Sequence, residues 1–133
     1  MIYADANVII RLLEGDAATR APLEARLLPL KGTAGFFHTS RLSWLECRIK
    51  PLREGNSELL RDFEDYFEGT VADLIALSRE VIDRATEIRA RFGFKVPDAL
   101  HLAAAVESGC EVFLTNDHRL DRFAEIAIET VQP

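Results

Sequence analysis

The sequence predicts an α/β fold built on a mostly parallel sheet. Two observations carry this. Short apolar runs of strand length alternate along the chain with longer segments whose apolar residues recur at helical spacing. Glycine and proline punctuate the boundaries, as at Gly15, Pro29, Gly93 and Gly109. Strands separated by helices imply βαβ units with right-handed crossovers. The 133 residues are 48% hydrophobic and 29% charged, the size and mix of a single soluble domain spanning 1–133.

Taken in order, Ile2 to Ala4 is a short strand bounded by Asp5. Asn7 is placed to cap a helix running through Glu14, with Val8, Ile9, Leu12 and Leu13 as its buried stripe and Gly15 as its stop. Ala17 to Leu28 is a second helical stretch, and Pro29, Gly32 and Gly35 break the chain before the next element. Gly35 to Thr39 reads as strand two. Ser40 opens a helix toward Lys50, which Pro51 should end or kink. Ser57 caps the next helix, whose Leu59, Phe63, Tyr66 and Phe67 share one face. Val71 to Leu77 is a weaker strand. Ser78 to Phe92 is the clearest helix, with Val81, Ala85, Ile88 and Phe92 on one side. Pro97 sits where its missing N–H costs nothing, at the start of a helix from Asp98 to Ser108 that is apolar on most sides and should be deeply buried. Val112 to Thr115 is a buried strand, Leu120 to Phe123 a helical turn, and Ile126 to Val131 the last strand.

Several classes are excluded. The net charge of −6 argues against nucleic-acid binding by bulk charge. No apolar run approaches the roughly 20 residues of a membrane helix. The acidic start MIYADANVII lacks a basic leader, so no signal peptide is expected. The two cysteines, Cys47 and Cys110, have neither zinc spacing nor a C-x-x-C pattern and read as buried thiols of a cytoplasmic protein. G-x-S-x-G, a P-loop and G-x-G-x-x-G are absent, which removes the serine-hydrolase and nucleotide-binding signatures.

Ligands of parallel sheets bind beyond the carboxyl ends of the strands. Asp5 follows strand one and Asp117 follows the strand Val112 to Thr115. Asp98 opens a buried helix, and Glu46 lies in the helix after strand two. Two ionised carboxylates about 5 Å apart repel by roughly 3 kcal/mol at an effective dielectric of 20. Four together need a counter-charge, and oxygen-only ligands suit Mg²⁺ or Mn²⁺ better than zinc. Each acid also has a plainer role open to it. Asp5 is a helix cap, Glu46 closes a Ser43-x-x-Glu46 capping box, Asp98 complements a helix dipole, and Asp117 in Thr115-Asn116-Asp117 forms a turn.

The set Asp5-Ala6-Asn7, Leu45-Glu46-Cys47-Arg48, Val96-Pro97-Asp98-Ala99-Leu100-His101-Leu102-Ala103-Ala104-Ala105 and Leu114-Thr115-Asn116-Asp117 resembles the PIN domain, and more narrowly the VapC toxins of bacterial and archaeal toxin–antitoxin pairs. Lys50 to Asn56 also looks familial. The likeness runs over nearly the whole chain, in order. It implies a three-layer α/β/α sandwich and a metal-dependent endoribonuclease that leaves a 5′-phosphate and a 3′-hydroxyl. It puts the family's acids at Asp5, Glu46, Asp98 and Asp117, holding Mg or Mn, with Asn7, Thr115 and Asn116 as polar support. It further implies RNA as substrate, a homodimer, and a cognate VapB-like antitoxin that places a basic side chain in the acidic pocket.

With an acidic chain, grip on RNA must come from a few local bases. Arg11, Arg41, Arg48, Lys95 and Arg119 are near the motifs, each equally readable as a solvated surface charge. His101, one turn beyond Asp98, reads as a buried hydrogen-bonded histidine, His118 as a loop residue and His38 as a strand residue. Trp44 reads as a packing residue. The haloacid-dehalogenase phosphatases need an Asp where Asn7 stands. Two alternatives stay open at this point: a Mg-binding signalling receiver domain, and a PIN module that acts by partner binding without cleavage.

Overall fold

The computed structural model describes residues 1–31, 37–71 and 73–131. Among these, five strands form one sheet: β1 (Ile2–Ala4), β2 (Phe37–Ser40), β3 (Asp73–Ile75), β4 (Val112–Thr115) and β5 (Ala127–Thr130). Their order is β3-β2-β1-β4-β5, and every neighbouring pair is parallel. The six α-helices are α1 (Ala6–Glu14), α2 (Ala17–Leu27), α3 (Arg41–Glu54), α4 (Ser57–Gly69), α5 (Arg79–Phe92) and α6 (Val96–Glu107). The expected α/β fold with a mostly parallel central sheet is therefore the one observed.

Alternation along the strands divides the apolar residues between two cores. Tyr3 and Phe113 point to one face, their rings stacked at 5.2 Å, and meet Val81, Ala85 and Ile88 of α5 and Leu102 to Ala105 of α6. Ile2, Ala4, Phe37 and Leu114 point to the other face and meet Val8 and Ile9 of α1, Leu23 of α2, and Phe63 and Phe67 of α4. A fully buried Leu or Phe contributes about 1.5–3 kcal/mol. That outweighs the weak local signals at many helix ends, which is why α6 is as buried as its composition demands.

Boundaries differ from expectation where several residues compete to cap. Asp5, not Asn7, holds the N-cap position of α1, and its side chain makes no capping bond. Asn56, not Ser57, caps α4, accepting from the Leu59 amide at 3.1 Å. The Ser43/Glu46 capping box is overturned. Ser40 is the N-cap, as the helix opening at Ser40 predicts, so Ser43 lies in the first turn and accepts from Thr39 Oγ1 at 2.6 Å. Pro51 does not end α3. It falls in the last turn, where only one helical bond is forfeited, and the helix ends at Gly55 in the left-handed region (φ 67°). Helix α6 begins at Val96, two residues before the expected start, and ends one residue short of Ser108. The turn expected at Leu120 to Phe123 is a 3₁₀ segment at His118–Leu120. Strand two ends on Ser40; Gly32, Gly35 and Phe36 lie outside the described residues. The weaker strand is confined to Asp73–Ile75, and Ala72 of that stretch lies outside the described residues. The last strand, Ala127–Thr130, is shorter by one residue at each end than Ile126 to Val131. Both cysteines are buried and free, and no described helix is long and apolar enough to cross a membrane.

Candidate active site

The chain places β1, β2 and β3 successively outward on one side and then crosses to set β4 on the other flank of β1. The crevice beyond the carboxyl ends of β1 and β4 is the switch point where such sheets bind ligands. The Asp5 amide donates to Leu114 O at 2.9 Å, which ties the two strand ends together. Asp5 is 6% exposed. Its Oδ2 accepts from Thr115 Oγ1 at 2.9 Å and from Asn7 Nδ2 at 3.1 Å. Asn7 Oδ1 accepts from the Asn116 amide at 3.2 Å, and Thr115 Oγ1 accepts from the Asp117 amide at 3.1 Å. Asn7 and Thr115 therefore fix the orientation of Asp5, and the α1 cap is left to the backbone.

A second chain of contacts enters from α6. His101 is 2% exposed. Its Nε2 lies 2.6 Å from Glu46 Oε1 and 3.6 Å from Asp5 Oδ1. Its Nδ1 lies 2.7 Å from the Tyr3 hydroxyl, which donates to Ser40 Oγ at 2.8 Å. The Glu46 carboxylate can only accept, so Nε2–H donates to it. Burial works against a charge on the ring, but the hydrogen bond to Glu46 and the charges of Asp5, Glu46 and Asp98 outweigh it, and its pKa is raised. Burial raises the Asp5 carboxyl, with the Glu46 charge adding to the rise and His101 and Thr115 opposing it. Tyr3 is a site residue that the sequence reading missed. Period-2 alternation puts Tyr3 and Asp5 on one face of the strand, and that was the available signal.

Asp98 sits in the first turn of α6 and is half-buried. Its carboxyl is pushed up by burial and then by the charges of Asp5 and Asp117. The three aspartates therefore face one another electrostatically. Asp117 is the exception in direction. Arg119 holds it in a fork, with Nε 3.0 Å from Oδ1 and Nη2 2.6 Å from Oδ2, and so keeps its carboxyl below the usual range. Asp117 also caps the 3₁₀ segment, accepting from the Arg119 amide at 2.9 Å, so the turn role exists alongside any other.

Among the described residues, no three His, Cys, Asp or Glu side chains already stand as a metal-binding group. Three of the four acids are turned to internal partners, Asp5 to Asn7 and Thr115, Glu46 to His101 and Asp117 to Arg119. The donor set nonetheless fits a hard divalent cation. It is all oxygen, and two of its carboxyls are raised by burial and like charge, the condition a cation relieves.

Of the nominated bases, Arg119 and Lys95 line a cleft that also holds Asp98. Arg48 lies 3.9 Å over the Trp44 ring and 3.8 Å from Glu64, and Arg11 donates to Val131 O at 3.4 Å. Neither lines that cleft. His38 is a buried strand residue, and Trp44 packs edge-on against Phe67.

The PIN-domain family model matches residues 2–126. The chain belongs to the PIN-domain family. Its structure is similar to VapBC2 of Rickettsia felis bound to promoter DNA, at a TM-score of 0.77 and 16% identity over 99% of this chain and 100% of that one. It is similar to FitAcB of Neisseria gonorrhoeae, at 0.77 and 18% identity over 96% of each chain. It is also similar to the sarcin–ricin-loop-cleaving toxin VapC20 of Mycobacterium tuberculosis, at 0.68 and 18% identity over 96% of this chain and 99% of that one. No curated protein sequence matches. The PIN domain thus has the fold of the VapC-type toxins. Its strand order also differs from the 2-1-3-4-5 order of signalling receivers, which removes that alternative.

Proposed function

We propose that this PIN domain is a metal-dependent endoribonuclease that hydrolyses RNA phosphodiester bonds. The observation that carries the proposal is Asp5: buried at the switch-point crevice, oriented by Asn7 and Thr115, and in mutual repulsion with Asp98 and Glu46. Asp5, Asp98 and Asp117, with Glu46 directly or through water, would hold one or two Mg²⁺ or Mn²⁺ ions. A cation bound there would supply Lewis acidity, making water a better nucleophile and offsetting charge on the phosphoryl oxygens. Glu46 orients the attacking water, and His101 sets the position of Glu46. Asn7, Thr115 and Asn116 keep the aspartates in place. Water adds to phosphorus as the bond to the 3′ oxygen breaks and that oxygen takes a proton, leaving a 5′-phosphate and a 3′-hydroxyl.

As partners we propose a second copy of the chain and a VapB-like antitoxin that sets a basic side chain against the carboxylates. The structural similarity to a toxin–antitoxin complex from Klebsiella pneumoniae supports the antitoxin. The test is RNA cleavage with Mn²⁺ or Mg²⁺ and with EDTA. Wild-type protein should cut only with metal, and Asp5→Asn should be inactive with an unchanged circular dichroism spectrum. Folded wild-type protein inert in every metal would instead leave a PIN module that acts by binding alone.

A further inference from the structure

The cleft beside Asp98 has a volume of about 510 Å³ and is lined by Gly93 to Lys95, His118, Arg119, Asp121 and Arg122. It brings three cations together in a chain whose net charge is −6. Arg119 is engaged by Asp117. The other two are not paired with any carboxylate among the described residues. Arg122 Cζ lies 4.0 Å over the centre of the Phe94 ring, and its Nη1 donates to Phe92 O at 2.5 Å. Arg89 Nη1 donates to Phe94 O, also at 2.5 Å, so two arginines hold the turn between α5 and α6 in place. Lys95, next to Phe94, is exposed. The acids of the cleft are accounted for. Asp121 accepts from His118 at 2.9 Å and from Thr130 Oγ1 at 2.6 Å, and Asp98 faces the other aspartates.

A guanidinium fixed by a ring stack keeps most of its five donors available and loses little freedom on binding an anion. We propose that Lys95 and Arg122 form a subsite for an RNA backbone phosphate next to the one that is cut. The subsite rests on the RNA-cleavage function above and gives it a direction. The strand leaves the carboxylates across the α5–α6 turn and the 3₁₀ segment, away from α3.

The test uses Asp5→Asn protein in EDTA, so that neither cleavage nor a bridging metal contributes. Binding of a short fluorescein-labelled single-stranded RNA is followed by anisotropy over a range of salt. Lys95→Gln and Arg122→Gln in that background should each weaken binding several-fold. Each should also make the slope of log affinity against log salt shallower by about 0.7, the value for one phosphate contact on a single strand. Arg61→Gln, at an exposed position of α4, should change neither. Arg122→Lys should keep the slope while losing affinity, and it replaces Arg122→Gln if that variant is unfolded by circular dichroism. Parental affinity and slope in either glutamine variant, an equal loss in Arg61→Gln, or no binding by the parent overturns the subsite. Metal-dependent cleavage by wild-type protein is scored separately. Cleavage with unaffected variants removes the subsite alone. Variant losses without cleavage remove the nuclease function and leave an RNA-binding cleft.

Discussion

Arg119 grips both oxygens of Asp117, Nη2 to Oδ2 at 2.6 Å and Nε to Oδ1 at 3.0 Å. The carboxylate is therefore neutralised from within the chain, by a residue two positions away. A cation entering the crevice competes with the guanidinium for the same oxygens.

From this competition, Arg119→Gln should bind Mn²⁺ several-fold more tightly than wild type in a calorimetric titration without RNA. Weaker or equal binding would mean that the fork prepares Asp117 for the metal.

Removing the charge of His101 should be costly. His101→Gln leaves Glu46 and Asp5 without their shared partner, and losing one member of a buried ion pair or hydrogen bond costs about 3 kcal/mol. Urea unfolding of the metal-free protein measures it. A loss well under 1 kcal/mol would show that the ring does not hold Glu46 and Asp5 in place.

In the metal-free protein, Asp5→Asn should raise the melting temperature at pH 8. The folded carboxyl of Asp5 is raised by burial, so its stability contribution is complete below the unfolded value of 3.8 and is lost as pH rises through the folded value. Asn mimics the protonated form, so its advantage should shrink as the pH falls through the folded value toward the unfolded one. An advantage that grows on acidification would reverse the sign of the shift.

Cys47 should resist iodoacetamide at pH 8. Burial, then the charges of Glu46, Glu14 and Asp5, push its thiol up to about 12, so thiolate is scarce in the native state. Alkylation should appear only with unfolding, followed by mass spectrometry in increasing urea.

Much of the fold was legible because short apolar runs and helical spacing do not compete. The run Ile2 to Ala4 and the helical spacing in Val81 to Phe92 each point one way. Caps were less legible, because Asn56 and Ser57 are both competent and only the amide reached decides. Pro51 does not stop α3, because the helix continues to Glu54 and its end is set by Gly55 in the left-handed region. At the site, the order and spacing of Asp5, Glu46, Asp98 and Asp117 were visible in the motifs. Their internal partners were not. The Tyr3–His101–Glu46 chain and the stacking of Arg122 on Phe94 join residues distant in sequence or hidden in apolar surroundings, and only the packing reveals them.

The most direct test is calorimetry of Mn²⁺ binding to metal-free protein. Wild type should bind, and Asp5→Asn and Asp98→Asn should each lose binding while remaining folded. Equal affinity in all three, or no binding by folded wild type, would contradict a cation held by these carboxylates.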